Sequence, residues 1–146
     1  MVREGFAGVA AEDLIMADKK IILAVDDDAS MCEFYEQGLA ALGYEVFCAS
    51  NAKKAKDYVA GKRPDLILMD VMMPDQDGIS LTREFRSNAK ISDVPIIVVS
   101  GLADAGTLND ALIFGAVDYV VKPIDVDALK LKIERAFAAV ERRKKK

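Results

Sequence analysis

The chain has 146 residues and is 52% hydrophobic, enough to bury the core of one domain and too much for a disordered chain. Its net charge of −4 argues against binding nucleic acid through a broad basic face. It contains no histidine, which excludes histidine-based catalytic triads and most zinc sites.

The first eighteen residues lack the basic start and long apolar middle of a signal peptide. Ile21–Val25 ("IILAV") is an apolar run of strand length, followed at once by Asp26, Asp27 and Asp28. The spacing of Met31, Phe34, Leu39 and Leu42 predicts a helix over Ser30–Leu42, stopped by Gly43. Tyr44–Ala49 is the second strand. Asn51–Ala60 is an alanine- and lysine-rich helix that Ser50 or Asn51 could cap. Leu66–Met69 is the third strand, running straight into Asp70, and Ile79–Asn88 the third helix. Ile96–Val99 is the fourth strand, with Ser100 at its tip. Asp104–Phe114 is a helix ended by Gly115, and Tyr119–Val121 a fifth strand leading to Lys122. In Val126–Val140, Leu129, Ile133, Ala136, Phe137 and Val140 form one apolar stripe, and Asp125 is placed to cap it. The closing cluster Arg142–Lys146 reads as a solvated helix end whose cations suit the helix dipole, not as a nucleic-acid or membrane anchor. No stretch is apolar for the length of a membrane span. Cys32 and Cys48 make no disulfide framework, so a cytoplasmic protein is the default expectation.

Five strands alternating with five helices predict an α/β fold around a parallel sheet. The polar residues that interrupt the pattern all follow strands: Asp26–Asp28, Asp70, Ser100 and Lys122. In an open parallel sheet the carboxyl ends share one edge, where ligands bind. Carboxylates gathered there repel, by about 4 kcal/mol for two unit charges 4 Å apart at an effective dielectric of 20. A hard divalent cation with oxygen ligands, magnesium above all, would offset this, and Lys122 adds a second positive charge. The plainer alternative for Asp26–Asp28 is a solvated turn that caps the first helix.

From about Lys19 to Val140 the sequence resembles the receiver domain of bacterial two-component response regulators. "ILAVDDD" looks like that family's acidic first-strand motif, and "LILMDVMMPDQDG" like its phosphoacceptor motif. "IIVVSG" matches the strand ending in Thr or Ser, and "DYVVKP" the strand ending in Lys-Pro. The resemblance implies a doubly wound, flavodoxin-like sheet of order 2-1-3-4-5 with helices on both faces, an order that spacing alone does not give. It implies that Asp70 is the phosphoacceptor, and that Asp26, Asp27, Asp70 and the Met72 carbonyl hold Mg2+. Lys122 would contact a phosphoryl oxygen, and Ser100 would donate its hydroxyl to another. Tyr119 would move with Ser100, switching the face of the fourth helix, fifth strand and fifth helix for a target protein. Met72 and Leu102 would tune hydrolysis, and the Lys122–Pro123 bond would be cis. Such a chain would catalyse only its own phosphorylation and dephosphorylation. With no histidine of its own, it would need a histidine kinase or histidine phosphotransfer protein as donor, acting as a monomer or a phosphorylation-dependent dimer.

Rival readings are weaker on the residues. A haloacid-dehalogenase-type phosphatase needs a second aspartate two residues after the nucleophile, where this chain has Met72. A flavin or nucleotide carrier needs a glycine loop after the first strand, where "DDDASM" would repel phosphate. A pseudo-receiver predicts a lost acid or lysine, and none is lost. The expected organisation is an N-terminal extension over 1–18, flexible or a short helix and dispensable, a receiver over 19–141, and a basic tail over 142–146. The expectation is either a stand-alone receiver or a fragment of a longer regulator.

Overall fold

The computed structural model describes residues 19–102 and 104–144, so the expectation for the 1–18 extension lies outside the described residues. The strands are β1 Ile21–Val25, β2 Glu45–Ala49, β3 Leu66–Asp70, β4 Ile96–Ser100 and β5 Asp118–Val121. The helices are α1 Ala29–Ala41, α2 Ala52–Gly61, α3 Gly78–Arg86, α4 Ala105–Ile113 and α5 Val126–Lys144. All strand pairs are parallel, in the order β2-β1-β3-β4-β5.

The sheet is covered on both faces, and the alternation of side chains along each strand divides the core in two. Leu23, Val25, Ile67, Met69, Ile96 and Val98 face one way and pack on α2, α3 and α4 through Ala55, Val59, Leu81, Phe85 and Ala111. Ile22, Ala24, Leu66, Leu68, Ile97 and Val99 face the other way, onto Tyr35 and Leu39 of α1 and Leu129, Ile133 and Ala136 of α5. Every residue of β3 and β4 is buried, which is why those segments read as unbroken apolar runs. Each fully buried Leu or Ile contributes about 1.5–3 kcal/mol. The edge strand β2 alternates instead and leaves Phe47 exposed, stacked on Tyr58 of α2.

The helix ends follow their chemistry. Asp28, Asn51, Asp77 and Asp104 are N-caps, each accepting from a backbone N–H in the first turn. Gly43 and Gly115 follow α1 and α4 with φ of 97° and 116°, a left-handed conformation that suits glycine. The last helix runs through Lys144, so Arg142, Arg143 and Lys144 form its final turn. The Lys122–Pro123 peptide is cis. Among the described residues, no helix is long and apolar enough to cross a membrane.

One sequence expectation is corrected. Cys32, in the first turn of α1, and Cys48, in β2, are joined by a disulfide with a Cα–Cα distance of 5.7 Å. They lie sixteen positions apart in the chain. Their pairing follows from α1 packing beside β2, a tertiary relation that cysteine spacing does not encode.

Candidate functional site

The carboxyl edge of the sheet gathers the residues singled out by sequence. Asp26 continues the line of β1 and is 1% exposed, its N–H donating to the Ala49 carbonyl of β2 at 3.0 Å. Asp70 is the last residue of β3 and is 6% exposed. It is paired in register with Val99, so Ser100 lies one step beyond it on β4. Ser100 pairs in turn with Val121, the last residue of β5, so Lys122 follows just past the end of that strand. Asp27 is exposed at the mouth. One carboxylate oxygen from each of Asp26, Asp27 and Asp70 lies within 4.8 Å of the others.

The three consecutive acids have different jobs. Asp28 turns away to cap α1: its carboxylate accepts from the Ser30 N–H and hydroxyl, and these bonds hold it below the usual carboxylate range. The Asp28 N–H donates to Asp26 Oδ1 at 2.9 Å, fixing the Asp26 side chain. The helix-capping alternative is thus true of Asp28 alone.

Lys122 bridges the two buried acids, donating to Asp26 Oδ2 at 3.0 Å and to Asp70 Oδ1 at 3.4 Å. Burial disfavours its ammonium form, but the bond to Asp26 and the charges of Asp70 and Asp26 outweigh that and raise it above its ordinary value. Asp70 is pushed up from 3.8 to about 6, first by burial and then by the charge of Asp26, with Lys122 opposing. One ammonium does not neutralise three carboxylates. The donors are all hard oxygens, which suits Mg2+ far better than a metal preferring nitrogen or sulfur.

Ser100 is fully buried, and its Oγ accepts from the Leu102 N–H at 3.0 Å. Tyr119 is buried against the core, and its hydroxyl donates to the Leu102 carbonyl. Met72 and Leu102, the two expected tuning positions, carry exposed side chains.

Three supporting residues were not given these roles by the sequence. A Cβ on Gly78 would lie 1.9 Å from the Asp70 carbonyl oxygen, so α3 approaches the site only because this residue has no side chain. Asp75 accepts from the Ala52 and Lys53 N–H groups and ties the loop after Asp70 to the start of α2. Tyr35 is buried, and burial plus the charges of Asp26 and Asp70 keep its phenol strongly protonated. The contact of Gly78 with Asp70 leaves no mark in the sequence, because only the packed fold brings α3 against the end of β3.

Residues 22–134 match the family model described as "Response regulator receiver domain". The transcriptional regulatory protein CrdR of Helicobacter pylori is 40% identical over 119 residues, covering 82% of this chain and 55% of that protein. The regulatory protein AtoC of Escherichia coli is 39% identical over 116 residues, covering 80% of this chain and 25% of that protein. The chain thus spans between a quarter and just over half of the length of these two relatives. Among solved structures, a CheY-like receiver domain protein from Methanospirillum hungatei aligns with a TM-score of 0.81 at 28% identity, covering 86% of this chain and 99% of that one. The signal receiver domain of a histidine kinase from Syntrophus aciditrophicus aligns with a TM-score of 0.78 at 30% identity, covering 84% and 93%.

Proposed function

The chain belongs to the response regulator receiver domain family, and from that premise we propose that Asp70 accepts a phosphoryl group in two-component signalling, with Mg2+ held by Asp26, Asp27, Asp70 and the Met72 carbonyl. The observation that carries this reading is the meeting of three carboxylates within 4.8 Å, two of them bridged by Lys122, beside a buried Ser100.

The chemistry follows from those groups. The ionised Asp70 carboxylate attacks phosphorus, and an O–P bond forms as the bond to the donor's imidazole nitrogen breaks. The nitrogen keeps the electron pair. Phosphoryl transfer depends mainly on positioning and charge neutralisation. Magnesium supplies the larger share of that neutralisation when bound. Lys122, already aimed at Asp70, contacts one phosphoryl oxygen, and the Ser100 hydroxyl donates to another. In this role the protein catalyses only its own phosphorylation and dephosphorylation. The donor is a histidine kinase or histidine phosphotransfer protein, and the compartment is the cytoplasm.

The output is a shift between two states of one surface. Ser100 is linked to Tyr119 through Leu102, and Tyr119 belongs to β5, between α4 and α5. Leu112 and Ile113 on α4, and Val121 on β5, are exposed apolar side chains on which a target protein can dock.

The reading is tested by incubating the protein with acetyl phosphate or phosphoramidate, with and without Mg2+, and weighing the intact chain. One added phosphoryl group, only when Mg2+ is present, is the expected result. No gain in either condition overturns the proposal.

A further inference from the structure

The Cys32–Cys48 disulfide lies against the candidate cation site. The chain leaves β1 at Asp26, whose N–H is bonded to the carbonyl of Ala49, the neighbour of Cys48. Six residues later Cys32 is bonded to Cys48 itself. The segment 26–32, which carries Asp26, Asp27 and Asp28, is therefore fastened to β2 at both ends, by a backbone hydrogen bond and by a covalent bond. Cys32 Sγ also lies 3.4 Å from the Asp26 carbonyl oxygen. With the bond closed, the carboxylates of Asp26 and Asp27 are already gathered with Asp70. Opening it removes the covalent tie at the α1 end of the segment and leaves the Asp26 hydrogen bond and the packing of α1 beside β2 to hold it.

Both cysteines are partly exposed, so a small disulfide can reach them. In a reducing compartment such bonds are usually transient and redox-sensing rather than structural. We propose that Cys32 and Cys48 form a reversible thiol–disulfide site, exchanging with low-molecular-weight disulfides, whose closed state holds the Asp26–Asp28 loop ready for a divalent cation. This inference rests on the reading of Asp26 and Asp27 as cation ligands. Closing begins when the thiolate of one cysteine attacks a sulfur of the small disulfide, breaking its S–S bond and releasing one small thiol. The second cysteine then attacks the mixed disulfide, forming the Cys32–Cys48 bond and releasing the second thiol. Two electrons pass from the cysteines to the small disulfide, and the two cysteine protons end on the two thiols. The reverse exchange reopens the pair.

The test uses the whole chain, equilibrated with oxidised or with reduced glutathione. Free thiols are counted, and Mg2+ binding is measured by calorimetry without any phosphoryl donor. The expected result is no free thiol in the oxidised form and two in the reduced form. The Mg2+ dissociation constant should be about fivefold or more higher in the reduced form. The double variant Cys32→Ser, Cys48→Ser should match the reduced form and ignore glutathione. Two free thiols persisting in oxidised glutathione, or equal Mg2+ affinity in the two forms, overturns the inference while leaving the cation site standing. No Mg2+ binding in either form overturns the cation reading and this inference together.

Discussion

Ser100 and Tyr119 hold the same residue from two sides: the Leu102 N–H donates to Ser100 Oγ at 3.0 Å, and the Tyr119 hydroxyl donates to the Leu102 carbonyl. The residue behind the candidate phosphoryl site and the aromatic on the candidate output face thus share one peptide segment. A shift of Ser100 towards a phosphoryl oxygen pulls on that segment, and Tyr119 is attached to its other end. Tyr119→Phe removes this hydroxyl bond, a loss of about 1 kcal/mol. It should leave phosphorylation of Asp70 intact and shrink the response of α4 and β5. Amide chemical shifts with and without the phosphoryl group measure this. An unchanged α4 and β5 response in the variant would rule out Leu102 as the link.

Asp70 stores a pH-dependent cost. Its carboxyl titrates near 6 in the fold against 3.8 as a free side chain, because it is buried beside Asp26. A raised acid means the fold binds the proton more tightly than the unfolded chain does. The contribution to stability is complete below about pH 4 and is lost as pH rises through about 6, a cost of up to about 3 kcal/mol at roughly 1.4 kcal/mol per unit. Asp70→Asn should therefore stabilise the metal-free protein near neutrality, by about 1–3 kcal/mol, and give little gain near pH 4. Urea denaturation in a chelator at the two pH values checks it. An equal gain at both would mean that charge is not the cause.

Gly78→Ala should be among the more damaging single-methyl substitutions in the chain. The added carbon would meet the Asp70 carbonyl oxygen at 1.9 Å, and that oxygen belongs to a strand with a buried neighbour on each side. The helix α3 must move, at a cost of about 2 kcal/mol or more. Thermal denaturation measures the loss. Gly101→Ala is the control, because a Cβ there meets nothing within 4 Å.

The lifetime of the phosphorylated state should be long. Hydrolysis needs a water held in line with phosphorus, and the flanking side chains of Met72 and Leu102 offer almost no hydrogen bonding. Both are exposed, so polar replacements can be made without disturbing the core. The double variant Met72→Asn, Leu102→Glu should lose its phosphoryl group faster than the native chain in Mg2+. Slower or equal decay would show that these two positions do not govern the water.

Much of this was legible because buried parallel strands leave a simple record. β3 and β4 are unbroken apolar runs, and a polar residue closing each one marks the shared edge. That made Asp70 and Ser100 visible as departures from a pattern, and Lys122 visible after β5. The division of labour among Asp26, Asp27 and Asp28 was not legible, because three identical side chains differ only in where the turn aims them. The closeness of Gly78 to Asp70 and the bond between Cys32 and Cys48 were hidden for a related reason. Each joins residues that only the packed fold brings together. The order of the strands likewise came from the family resemblance and not from residue spacing.

The proposed phosphoacceptor is Asp70. The most direct measurement is the mass of the intact native chain and of Asp70→Asn after identical treatment with phosphoramidate in Mg2+. One phosphoryl group on the native chain and none on the variant is the expected result. Full labelling of Asp70→Asn would contradict it.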